Sequence, residues 1–164
     1  MASALHPHKS TLRTLIIGSL PERSLVGFTL NEFVELEELN LSYWATGCEA
    51  GSETRFLAPR LRKFTWSFHV EDQHSESYSD FQQPQETWLR TLVLAAVKQQ
   101  IPLQQIHIVF HPRDYRKPGE ARPLQWPWDC MDNVGSAMRD VGMLLSYDKP
   151  SISRQDFYSR GTLS

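Results

Sequence analysis

Histidine is the side chain with the widest chemical reach in this sequence. As neutral imidazole it ligates metals, and near neutral pH it moves protons. Six are present. His6 and His8 flank Pro7 in the N-terminal segment, and His69 and His74 bracket Glu71 and Asp72. His107 and His111 are four apart, which aligns ligands on a helix but not on a strand. The strong zinc signatures are paired cysteines at fixed spacing or His-Glu-x-x-His, and neither occurs. No metal site is therefore expected. Cys48 and Cys130 are the only cysteines. They fit no disulfide framework and favour a reducing compartment. Neither sits in a nucleophile signature, and the chain has no Gly-rich phosphate loop and no Gly-x-Ser-x-Gly elbow. The expectation is no catalytic residue, no cofactor and no enzyme site.

Bulk composition bounds the rest. At 164 residues, 40% hydrophobic and 22% charged, the chain has the profile of one folded domain with a sizeable core. Seventeen basic and nineteen acidic residues nearly cancel. That balance predicts no general attraction to nucleic acid or anionic membrane. The N-terminal segment has no apolar core of a secretory signal. The longest strongly apolar stretch, about Leu92 to Val97, is too short to span a bilayer. The expected location is the cytoplasm or nucleus.

What could position side chains for work is a repeat. Four segments share the pattern apolar-x-x-apolar-x-apolar: Leu12, Leu15 and Ile17; Leu36, Leu39 and Leu41; Leu61, Phe64 and Trp66; Leu103, Ile106 and Ile108. Their starts are separated by 24, 25 and 42 residues. The first two spacings fall within the roughly 20–29 residues of a leucine-rich repeat, and the third is longer by an inserted loop. The last two apolar positions of each unit are two apart, so they share one face of a short strand. One unit cannot bury that face alone, whereas stacked units in a parallel sheet close a continuous core. Residues 13–18, 37–42, 62–67 and 104–109 are thus predicted to be neighbouring parallel strands.

Parallel strands need crossovers. In the first, residues 19–35, Leu25, Phe28, Leu30 and Phe33 are packing candidates. The second holds a short helix from about Ser52 to Leu57, ended by Ala58-Pro59. The third contains a polar surface loop, His69 to Gln85, and then an amphipathic helix from about Glu86 to Gln99, with Pro84 just ahead of it. After the fourth strand come a Pro- and Arg-rich loop, His111 to Gln125, and a helix from about Pro127 to Asp140. Met143 to Tyr147 suggests a fifth strand. A polar tail, 149–164, is expected to be mobile. Of five tryptophans, Trp66 and Trp88 read as core and Trp44 as a half-buried strand end. Trp126 and Trp128 read either as caps of the solenoid or as exposed interface anchors.

The stretch Leu12 to Phe68 resembles the leucine-rich-repeat region of fungal F-box proteins. The matching residues are Thr11 to Leu15, Phe33 to Leu39, Tyr43 to Gly47 and Leu57 to Arg62, with Trp126 to Asp129 and Tyr147 to Arg154 further along. The resemblance implies the substrate-recognition arm of a cullin-RING ubiquitin ligase, an intracellular role. Two departures stand out. Where the usual repeat has Asn or Cys after the last strand leucine, this chain has Leu20, Trp44, His69 and His111, so the repeats are degenerate. The F-box itself is absent. Leu20 to Leu25 echoes its opening but falls between two repeat strands.

The expected fold is α/β, a short degenerate leucine-rich-repeat solenoid. A curved parallel sheet has helices and loops on its convex side, within a repeat domain at 1–148 that is N-terminally incomplete. The expected function is protein–protein interaction through the concave face. Its outward positions are Thr14, Ile16, Glu38, Asn40, Lys63, Thr65, Gln105 and His107. Arg13, Glu37 and Arg62 form a neighbouring column of alternating charge, and Glu38 pairs with Lys63. The partner is a protein, not nucleic acid and not membrane, and an uncapped N-terminal sheet edge invites self-association. Two other readings remain: a stand-alone scaffold, or a small α/β enzyme whose polar residues converge at strand ends.

Overall fold

Period-two alternation places Leu15 and Ile17, Leu39 and Leu41, Phe64 and Trp66, and Ile106 and Ile108 on one side of their strands, and all eight are buried. The computed structural model describes residues 5–18, 28–46, 48, 51–69, 76–113 and 125–159. Within them, β1 (Thr14–Ile17), β2 (Glu38–Ser42), β3 (Lys63–Ser67), β4 (Gln105–Val109) and β5 (Leu144–Tyr147) form one five-stranded sheet. The spatial order is the sequence order, and every pairing is parallel. The protein is thus α/β, with an open parallel sheet. The four expected strands are present and paired as expected. The fifth enters with Leu145 beside Ile106 and Tyr147 beside Ile108.

Register turns the repeats into rows. One row runs Leu15, Leu39, Phe64, Ile106, Leu145, and the next Ile17, Leu41, Trp66, Ile108, Tyr147, both buried from β1 to β4 and half-buried in β5. Helices cover these rows from one side. Four-residue α1 (Tyr43–Thr46) follows β2 directly, and a 3₁₀ turn at Glu53–Phe56 stands where a short helix was expected. The third crossover carries α2 (Gln83–Lys98) and the fourth α3 (Pro127–Arg139). Trp88 of α2 lies stacked on Trp66 at 4.7 Å between ring centroids and contacts Phe64 and Phe56. Its indole N–H donates to Ser52 Oγ at 3.1 Å, which satisfies a buried polar group.

α2 begins three residues earlier than its apolar stripe predicts. Gln82 and Gln85 form a capping box, the Gln82 N–H donating to Gln85 Oε1 at 2.9 Å, and Pro84 sits inside the first turn rather than ahead of it. Both long helices end in the same motif. After α3, the Met143 N–H reaches the Met138 carbonyl and the Gly142 N–H reaches Arg139, with Gly142 at φ +75. After α2, Ile101 reaches Ala96 and Gln100 reaches Val97, with Gln100 at φ +56. These are Schellman closures, which favour glycine at the left-handed residue.

Two segments differ from their sequence reading. The polar stretch before α2 is pinned by buried Glu76, Tyr78 and Phe81, so it is not only a surface loop. Residues 149–159 of the polar tail are described and include α4 (Arg154–Ser159), whose Phe157 is fully buried. One aromatic in a polar run has no periodicity to announce it, yet it docks the segment. Trp66 and Trp88 are core, as expected. Trp126 and Trp128 are buried as well, packed 4.5 Å apart between ring centroids, so they are not exposed anchors. Trp44 lies in α1 rather than at a strand end, 36% exposed. The expectations for Leu20 to Leu25, His74, Glu71, Asp72 and most of the loop after His111 fall outside the described residues.

Candidate interaction face

Opposite the helices, the alternate strand positions form a second set of rows. The first runs Thr14, Glu38, Lys63, Gln105, Leu144. The second runs Ile16, Asn40, Thr65, His107, Ser146. All eight residues expected on the face therefore fall in two adjacent rows, extended by Leu144 and Ser146 of β5. The face is open at both ends, with Ile16 70% and Leu144 56% exposed. Its middle is polar, half-buried apart from exposed Glu38.

The N-terminal rim of the sheet continues the ladder outside the strands. The N–H groups of Glu37, Arg62, Gln104 and Leu144 donate in turn to the carbonyls of Arg13, Glu37, Arg62 and Gln104. This places Arg13, Glu37 and Arg62 side by side, as the spacing of the repeats predicts. Glu38 and Lys63 are directly opposite in register. The expected pairing stops at register: among the described residues, no ion pair joins Glu38 to Lys63 or links the Arg13, Glu37 and Arg62 column. The exposed pairs lie elsewhere, as in Arg60 with Glu35 at 2.7 Å and Lys9 with Glu32.

The C-terminal rim is organised differently. His107 Nδ1 lies 2.9 Å from Ser146 Oγ, and its Nε2 faces Asp148 Oδ1 at 3.8 Å. His111 Nε2 meets the other Asp148 oxygen at 3.1 Å. The His111 backbone N–H donates to Glu76, whose second oxygen lies 3.5 Å from His69 Nδ1. Burial holds the Glu76 carboxyl above its ordinary pKa, against the pull of the His111 N–H and the two imidazoles. The Asp148 carbonyl accepts the Trp128 indole N–H at 3.0 Å. Three of the six histidines thus meet two carboxylates at the ends of β3, β4 and β5.

Sequence reasoning placed His107 on this face but missed Ser146, Asp148, His111 and Glu76. The signal was present for two of them: Ser146 and Asp148 are two apart, so an outward Ser146 implies an outward Asp148. Using it required the β4–β5 register. The residue types at Ser146, His107 and Asp148 are those of nucleophile, base and orienting acid. The 3.8 Å acid contact lies beyond hydrogen-bond range. Among the described residues, no group of three or more His, Cys, Asp or Glu side chains stands ready to hold a metal ion. Burial pushes both thiols, Cys48 and Cys130, up to about 12, which suppresses the reactive thiolate.

Fold and face define a class: a parallel α/β sheet in sequential strand order, helices on one side, an open mixed polar face on the other. Comparison with family models, curated proteins and solved structures gives no match to this chain. No helix among the described residues is long and apolar enough to cross a membrane.

Proposed function

We propose that this chain is a protein–protein interaction module of leucine-rich-repeat type. In this reading it serves as the substrate-recognition arm of an F-box-like ubiquitin ligase and binds its partner through the open sheet face. One observation carries the reading: eight residues chosen from repeat spacing alone fall into two continuous rows on one face of a sequentially ordered parallel sheet. Such an order is what stacked repeats produce, because each unit contacts only its neighbours. The charges at the N-terminal rim support it too, since they are not consumed by one another.

The test is cross-linking in cells of the natural host, comparing wild type with Glu38→Lys/Lys63→Glu and with Arg139→Glu on the helical side. The partner captured by wild type is expected to be lost in the face variant and kept in the control. Equal capture by all three sinks the reading. The captured protein should also live longer when the chain is depleted. An unchanged lifetime would leave the binding face but favour a stand-alone scaffold over the ligase arm.

The enzyme reading has one observation behind it, the 2.9 Å contact of Ser146 with His107. Labelling by a fluorophosphonate that is lost in both Ser146→Ala and His107→Ala would replace recognition with acyl chemistry.

A further inference from the structure

The seat of α4 is aromatic, formed by the start of α3 and the segment before α2. The Phe157 ring meets Trp126 at 4.9 Å and Tyr78 at 5.0 Å between centroids, both edge-on. Trp126 itself stacks on Tyr78 and packs against Trp128. Polar contacts help to fix the orientation. The Arg154 guanidinium reaches the Asp129 carboxylate at 2.7 Å, and the Trp126 backbone N–H donates to the Tyr158 hydroxyl at 3.2 Å. Arg154, Phe157 and Tyr158 stand at i, i+3 and i+4, one face of a helix.

The segment also brings its own helix start. The Asp156 N–H donates to Ser153 Oγ at 3.1 Å, and the Ser153 hydroxyl donates to the Asp156 carboxylate at 2.7 Å. Between β5 and this cap lies a short connector in which Lys149, Pro150, Ser151 and Ser153 are exposed and Ile152 is half-buried. Among residues 149–159 only Phe157 is buried. The segment is therefore a docking unit with cap, cation, aromatic anchor and hydroxyl, joined to the sheet by a connector that is exposed except at Ile152, which packs against the core.

We propose that the α4 seat also accepts the α4 segment of a second copy, so that two chains exchange tails. The occupant is defined by the structure: the seat already fits the pattern Arg-x-x-Phe-Tyr, and Asp129 supplies the charge complementary to its cation. Burial of Phe157 contributes a factor of roughly ten to a hundred to holding the segment, and the Arg154 and Tyr158 contacts add to it, but all of these contacts are the same for either copy's tail. A short tether presents it at an effective concentration on the order of millimolar. A partner's tail therefore competes as the chain approaches that concentration. Exchange reproduces every seat contact twice and closes on itself, giving a dimer and not a filament.

The test uses the full chain throughout. Phe157→Ala empties the seat, and a fluorescent peptide of residues 149–164 is titrated into it. Saturable binding is expected, at least tenfold weaker for the peptide with Phe157→Ala. An Arg154→Glu peptide should also bind weakly, and recover when the seat carries Asp129→Lys. If the emptied chain does not unfold cooperatively, excess unlabelled peptide is added to wild type instead. There it should accelerate tryptic cleavage after Arg154. Sedimentation of wild type should show a dimer growing with concentration, absent in Phe157→Ala. No peptide binding to a folded emptied chain, no change in cleavage, or a wild-type monomer at every concentration overturns the proposal. Glu38→Lys/Lys63→Glu should leave the peptide affinity unchanged, so this test does not depend on the open face.

Discussion

The two rims of one sheet handle charge in opposite ways. At the N-terminal rim, Arg13, Glu37, Glu38, Arg62 and Lys63 stand in register without joining one another. At the C-terminal rim, His69, Glu76, His107, His111, Ser146 and Asp148 are drawn into contacts that tie three strands' ends together. The cause lies beneath them. Phe68 and Phe110 continue the core past the strand ends, and both are fully buried, packed 5.3 Å apart between ring centroids. Beside this shelf a carboxylate, Glu76, is itself buried, and a buried polar group must find partners. The N-terminal rim also rests on buried leucines, Leu36, Leu61 and Leu103, but its charges sit on long exposed or half-buried side chains, which gain little from pairing. Charges that bind a partner are best left where folding does not need them.

The sharpest way to test this contrast is to remove the shelf. Phe110→Ala should cost about 3–5 kcal/mol, as large-to-small core changes do, read as a lowered urea midpoint. A loss below about 1 kcal/mol would mean that the C-terminal rim does not rest on its aromatics.

Glu76→Ala comes next, at about 1–3 kcal/mol, because it takes the acceptor from the part-buried His111 N–H. Its pH dependence is a separate check. The folded pKa of Glu76 is raised, chiefly by burial. The stability it contributes is therefore fully present below the unfolded carboxyl value. It is lost as pH rises through the higher folded value. Glu76→Gln should flatten this part of the stability–pH curve on the acid side of neutrality, and an unchanged curve would assign the slope to another group, such as half-buried Asp80, whose pKa burial also raises.

Asp148→Asn should cost less, under about 1 kcal/mol, since the carboxylate is partly solvated. The expected signature is a change in the His107 and His111 ring resonances in NMR spectra at one pH, and resonances indifferent to it would remove Asp148 from the cluster. Smallest of all is Lys63→Glu, within about 0.5 kcal/mol of wild type, while partner capture falls by tenfold or more. Loss of stability in step with capture would show that the N-terminal rim is structural after all.

Much of this was legible from the chain. Spacing of Leu12, Leu36, Leu61 and Leu103 located four strands and their face, because stacking enforces a common register. The β5 repeat is harder to see, since Gly142 stands where those leucines do and the first apolar position is lost. The histidine–carboxylate cluster was hidden for the same reason: it assembles only when β5 is set against β4. Glu76 and Phe157 were invisible for another. Phe157 is one buried residue in a polar segment, Glu76 is a carboxylate buried beside Tyr78 and Phe81, and neither sits in a period. The start of α2 was misplaced because its box uses Gln82 and Gln85, not the usual serine or threonine.

Thickness varies along the sheet. Among the described residues, β1 and β2 are backed by short turns, while β3, β4 and β5 rest against the sixteen-residue α2 and the thirteen-residue α3. Because each strand touches only its neighbours, this asymmetry is not averaged out over the molecule. Amide exchange should therefore be fast at β1, slower at β2 and slowest from β3 to β5. A partner spanning the face would grip a firm surface at one end and a yielding one at the other, ordering the thin end as it binds.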